Sequence, residues 1–196
     1  MITMKPLDCL PNFPLKPSGE ITDQFLVLGV NDFHSAAGYV HRLPYGRNAD
    51  RANFRLVLQE GRGTCSTKHA LLAQLAKEQK VDIGLAIGIY EMTERNTPGV
   101  GPVLTKHGLP SLPEAHCYLT YDGRRVDVTR SSVIPSEPIQ RFLYEETIVP
   151  DQIGRYKTEV HQRFIQNWVI NSQVAGGRNW QELWQIREEC VAALSE

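Results

Sequence analysis

A cysteine, a histidine and an aspartate stand in this chain where they could serve as a nucleophile, its base and the group that orients the base. Cys65 lies in Gly61-Arg62-Gly63-Thr64-Cys65-Ser66-Thr67-Lys68-His69-Ala70-Leu71-Leu72, a glycine-flanked turn running into an expected helix. A helix N-terminus carries unpaired N–H groups and a partial positive charge, and both favour a thiolate, the reactive form of cysteine. Thr64 is the expected N-cap. Leu71, Leu72, Leu75 and Ala76 then repeat at helical spacing in a helix that should reach about Lys80.

His116 and Asp127 fall on two expected strands, Ala115 to Tyr121 and Arg124 to Thr129. Asp122-Gly123 joins them, and this dipeptide is a strong hairpin signal. With Tyr121 opposite Arg124, counting outward sets Leu119 against Val126, Tyr118 against Asp127 and His116 against Thr129. Opposed residues share a face, so His116, Tyr118 and Asp127 lie together, and Asp127 is a diagonal neighbour of His116 at a Cα separation of roughly 7–8 Å. Cys117 turns to the opposite, apolar face and is expected in the core. A nucleophilic cysteine needs a base and a third group to hold the imidazole tautomer. Cys65, His116 and Asp127 fill those three roles, and the Cys65 amide is a candidate oxyanion donor. Tyr118, on the same face, and His69, one helical turn after Cys65, are the candidate substrate contacts. Packing behind Cys65 is the other role open to His69.

This arrangement resembles the transglutaminase-like superfamily, within the wider papain-like group of cysteine enzymes. The resemblance rests on Gly63-x-Cys65 opening an Ala/Leu-rich helix, a strand beginning at His116, and Val126-Asp127-Val128-Thr129, over about residues 54–130. It implies a papain-like α+β core with the nucleophile helix packed on an antiparallel sheet. It also implies thiol-dependent acyl transfer or amide and peptide hydrolysis through a thioester, with a peptide, protein or small amide as substrate and no cofactor or metal. Cys117-Tyr118 stands where the family more often has Ala-Trp, and Val128 replaces its common proline.

Two other functions fit the same residues. A relative that keeps the fold and has lost activity would be an interaction domain. Alternatively Cys65, His69 and His116 are a possible zinc set, since thiolate and imidazole suit that ion, although only three ligands are then in reach. Arg62 and Lys68 are expected as ordinary solvated charges.

The elements that must position these residues follow from punctuation and periodicity. Residues 1–19, with four prolines, read as an extended arm. Glu20 to Val30 is strand or buried helix, because a short apolar run does not distinguish the two. Asn31-Asp32 is the expected N-cap of a helix carrying Phe33, Ala36, Ala37 and Val40. Ile83 to Tyr90 reads as a central strand. Residues 93–114, rich in glycine and proline, read as a long connection and a flap over the site. Residues 136–196 read as a helical part. In it Tyr156, Val160, Phe164, Trp168 and Val169 form one apolar face, and Trp168, Trp180 and Trp184 lie between the helices. The whole 196 residues are expected to form a single α+β domain.

Composition narrows the class. There are 21 basic and 22 acidic residues, a formal net charge of −1, and so no basic footprint for nucleic acid or a membrane surface. The first residues have proline and acid where a signal peptide needs an apolar core, which points to the cytoplasm. The four cysteines are widely spaced and are expected as free thiols.

Overall fold

The computed structural model describes residues 6–129, 136–171 and 176–194. Residues 1–5 of the expected arm and the ends of the expected helical part at 172–175 and 195–196 lie outside them. Among the described residues, α1 (Glu20–Val27), α2 (Phe33–Arg42) and α3 (Leu56–Glu60) lead into α4 (Cys65–Glu78). Strand β1 (Gly84–Met92) and helix α5 (Gly101–Lys106) follow, then the hairpin of β2 (Leu112–Tyr121) and β3 (Arg124–Val126). Strand β4 (Tyr144–Ile148) precedes α6 (Arg155–Asn171) and α7 (Trp180–Ala193). The strands make one antiparallel sheet in the order β3-β2-β1-β4, so the α+β class holds. The described residues fall into two compact units. One holds 6–87, 117–129 and 146–154, and the other holds the remainder, so β1, β2 and β4 each run from one unit into the other.

In the first unit α4 is the central helix. Every residue from Cys65 to Ala73 is buried, and the helix packs against α1, α2, α3 and the 3₁₀ turn Pro150–Ile153. A helix enclosed on all sides must find partners for each polar side chain it carries. Its C-terminal Glu78 does this across the fold. The Glu78 carboxylate accepts from the backbone N–H groups of Ile21 and Thr22 at 3.1 and 2.8 Å, which caps α1 from outside its own sequence. That external cap accounts for the helical form of a segment whose periodicity allowed strand. The N-terminal arm lies over the body, with Leu10 and Leu15 buried and Pro14 bridged to Asp32. Of the expected Asn31-Asp32 cap it is Asp32 that caps α2, accepting from the Ser35 N–H at 2.9 Å.

The hairpin keeps the expected register at Leu119–Val126, Thr120–Arg125 and Tyr121–Arg124. Asp122 and Gly123, both at positive φ, form its turn. The ladder ends at Val126, three residues short of expectation, because the backbone of 127–129 bonds elsewhere. Asp127 Oδ1 accepts from the Thr129 N–H at 2.8 Å, an Asx turn that bends the strand. The Val128 N–H and C=O are taken by two histidines described below. Strand pairing therefore does not set the relation of Asp127 to His116.

In the second unit the connection 93–114 is core, not flap. Val100, Leu104 and Leu109 are buried with Met92, Ile165 and Leu183, and α5 packs on α7. Strand β4 falls within the stretch expected to be helical. Its Tyr-Glu-Glu-Thr-Ile sequence buries only Ile148, so it lacks the alternation of a half-buried strand. Helix α6 is also turned from expectation. Its buried face is Lys157, His161 and Ile165, not Tyr156, Val160 and Phe164. The reason is electrostatic. Glu114 and Arg187 form a bidentate pair at 2.6 and 2.7 Å, both nearly buried, and the polar side of α6 closes over them. His161 Nε2 donates to the Pro113 carbonyl at 2.9 Å, and its ring meets Trp184 edge-on. Trp168, Trp180 and Trp184 pack on this core as expected.

Burial alone would raise the Glu114 carboxyl, but Arg187, His161 and Lys157 outweigh it and bring it down to about 2. Burial pushes the His161 imidazole down to about 4, against the pull of Glu114. Both shifts act in one direction. As pH falls from 6.5 to 4 the unfolded chain protonates at His161 before the folded one does, and from 4.5 to 2 the same holds for Glu114. The tryptophan-monitored urea midpoint should therefore fall steadily below pH 6.5, and His161→Gln should flatten the first part of that fall. Arg187→Met should cost about 3–5 kcal/mol by stranding a buried carboxylate, and combining it with Glu114→Leu should recover part of the loss.

Candidate active site

The turn before Cys65 is built by close backbone approach. The Gly63 N–H donates to the Pro44 carbonyl and its own carbonyl accepts from the Gly46 N–H, both at 3.2 Å. A Cβ on Gly63 would come within 3.0 Å of Thr67, Lys68 and Val57 side chains, so no larger residue fits without displacement. Asn48, buried, ties the turn together. Its amide donates to the Arg62 carbonyl and to Glu60 Oε2 at 3.0 Å, and its Oδ1 accepts from Thr67 Oγ1 at 2.9 Å. Thr67 Oγ1 also receives the Thr64 N–H at 3.0 Å, which fixes the first turn of α4. Cys65 is the first residue of that helix and is 8% exposed, with Sγ 3.8 Å from Ser66 Oγ.

His69 joins Cys65 to the segment after the hairpin. Its Nδ1 stands 2.7 Å from the Cys65 carbonyl oxygen and its Nε2 stands 2.8 Å from the Val128 backbone nitrogen. A carbonyl only accepts and an amide N–H only donates, so Nδ1 carries the proton, Nε2 accepts, and the ring is neutral. Asp127 Oδ1 is 3.5 Å from the same Nε2, but with no proton between them this is not a salt bridge. That oxygen is held instead by the N–H and hydroxyl of Thr129. His41 Nδ1 donates to the Val128 carbonyl at 3.2 Å. Lys68, fully buried, donates from Nζ to the Leu43 carbonyl at 2.5 Å and the Thr129 carbonyl at 2.8 Å. Lys68 is thus a structural cation clamping two backbone segments, in contrast to the solvated charge expected of it.

The expected site residues are distributed as follows. Cys65 and Asp127 are both in the first unit, and His69 connects the backbone of one to the segment of the other. Asp127 is 47% exposed. His116 ends the second unit's part of β2, and its ring stands 6.1 Å from the Tyr90 ring at 77°. Tyr90 is held in turn by Thr97, with its hydroxyl 2.8 Å from Thr97 Oγ1. His69 packs behind Cys65 and, like Tyr118, is interior and presents almost no surface to a substrate. Cys117 is buried as expected, and all four cysteines are free thiols.

The zinc set is not assembled. Both His69 nitrogens are engaged by the backbone, and among the described residues no three His, Cys, Asp or Glu side chains are grouped to hold a metal. No helix among the described residues is long and apolar enough to cross a membrane. Asn48 and His41 carry no expectation from the sequence, and Lys68 is expected there only as a solvated charge. Each works through contacts with a distant backbone, and only a polar residue inside an apolar helical stretch, as at Lys68, gave a sign of it.

Comparison with protein-family models, with curated proteins and with solved structures finds no match to this chain.

Replacing His69 with leucine removes the acceptor of a buried N–H and the donor to a buried carbonyl. The variant should lose about 1–3 kcal/mol of stability, read as a lower urea midpoint by far-UV circular dichroism.

Proposed function

We propose that the chain is a transglutaminase-like thiol enzyme that transfers or hydrolyses an acyl group through a thioester on Cys65. The observation that carries this reading is the setting of Cys65, a thiol on the first residue of a 14-residue helix whose entry turn is locked by Gly63, Asn48 and Thr67. The helix dipole favours the thiolate there, and in this reading the Cys65 amide donates to the tetrahedral oxyanion. The docking of Asp127–Thr129 against the same helix through His69 and Lys68 supports Asp127 as the orienting acid.

In this reading His116 takes the Cys65 proton, and the thiolate sulfur bonds to the carbonyl carbon of a peptide, protein or small amide. The C–N bond then breaks, and the amine leaves with the proton held by His116. Water or a second amine, deprotonated by His116, attacks the thioester and frees the thiol. Asp127 would hold the imidazole tautomer throughout. The chemistry calls for neither metal nor cofactor. The burial of Cys65 favours a second reading, a non-catalytic interaction domain on the same scaffold.

Alkylation separates the two readings. With iodoacetamide at pH 7, Cys65 should label at least about ten times faster than the partly exposed Cys9, and His116→Ala should abolish the difference while leaving the circular dichroism spectrum unchanged. Labelling of Cys65 no faster than Cys9 would overturn the thiol-enzyme reading.

A further inference from the structure

Helix α6 leaves its longest apolar stripe outside the core. Tyr156, Val160 and Phe164, spaced one turn apart, line a cavity of about 210 Å³ whose other walls are Ile89 of β1 and Tyr144 of β4. Tyr144 and Tyr156 are each 38% exposed, so the cavity is open and aromatic. Its polar lining comes from the same helix, at Glu159, Arg163 and Asn167. The Glu159 carboxylate is occupied by Arg155, with Nε–Oε1 at 2.6 Å, and its charge is compensated. Among the described residues the Arg163 guanidinium and the Asn167 side-chain amide make no hydrogen bond or ion pair. The two are one helical turn apart, on one side of the cavity.

We propose that this cavity binds a small carboxylate with an aromatic or branched apolar body. The body would lie among Tyr144, Tyr156 and Phe164, and the carboxylate would meet Arg163 and Asn167. The chemistry is specific on both counts. A fork of guanidinium N–H donors beside an amide matches a planar carboxylate, and aromatic walls of this area reward a ring or branched chain. A cavity of this size takes one amino-acid-sized group, so the natural source is either a free acylated amino acid or the C-terminal residue of a peptide. The site lies wholly within the second unit and is independent of the thiol chemistry proposed for Cys65.

The test is a nitrogen-15 chemical-shift titration of the full chain with N-acetylphenylalanine and with its uncharged amide. The acid should shift resonances of 144 and 156–167 saturably, with an affinity near about 1 mM or tighter, the range open to a ligand this small. The amide should bind at least about fivefold more weakly, and Arg163→Gln, at an exposed position that leaves the fold intact, should weaken the acid to the same extent. A peptide ending in phenylalanine that binds tighter than the free acid identifies a peptide C-terminus as the source, and weaker binding identifies the small acid. Absence of saturable shifts, shifts centred elsewhere, or equal binding of acid and amide overturns the proposal. So does self-association of the chain that Phe164→Ser abolishes, which would make the cavity an interface between copies.

Discussion

The neutral imidazole of His69 joins two segments that the sequence keeps far apart. It donates to the carbonyl of Cys65 and accepts from the amide of Val128, so one ring ties the first turn of α4 to the chain leaving the hairpin. Both bonds are buried, and neither backbone group has water as an alternative, so the geometry is enforced by the cost of leaving either one unmade. Lys68 and His41 add three more bonds to the same tripeptide and its surroundings. The effect is to hold Asp127 beside α4 through the backbone of Val128 and Thr129, leaving its side chain partly exposed.

The same constraint explains the early end of β3. An ideal hairpin would have carried Asp127, Val128 and Thr129 along β2 and turned alternate side chains to one face. The buried polar residues of α4 compete for those backbone groups and win, because a central helix has no solvent to satisfy them. A ladder of three pairs and a clamp of two histidines and a lysine replace a ladder of six pairs. In the second unit a comparable competition decides the rotation of α6. Its apolar stripe would fit a core, yet the helix buries Lys157 and His161 against Glu114 and Arg187 and leaves Tyr156, Val160 and Phe164 around an open cavity.

Local chemistry was legible wherever it was self-contained. Asp32 as a cap, Asp122-Gly123 as a turn, Thr64 before the helix of Cys65 and the register of the hairpin all follow from residues within a few positions of one another, and all stand in the structure. The segment 93–114 differs from its expected form because glycine and proline mark turns without showing that Val100, Leu104 and Leu109 between them reach a core. Strand β4 is illegible for the converse reason, as an edge strand with one buried residue carries no apolar period.

What the sequence determined by itself is the α+β class, the cap and turn chemistry, the place of Cys65 at a helix start and the burial of Cys117. These depend on backbone sterics and short-range hydrogen bonds, which act between neighbours in the chain. Tertiary structure alone decided that Lys68 is buried, that His69 is a strut, and that Glu78 caps a helix it does not belong to. Each of these depends on which distant backbone group a buried polar atom meets. No periodicity encodes that, since it is set by the packing that removes water from both.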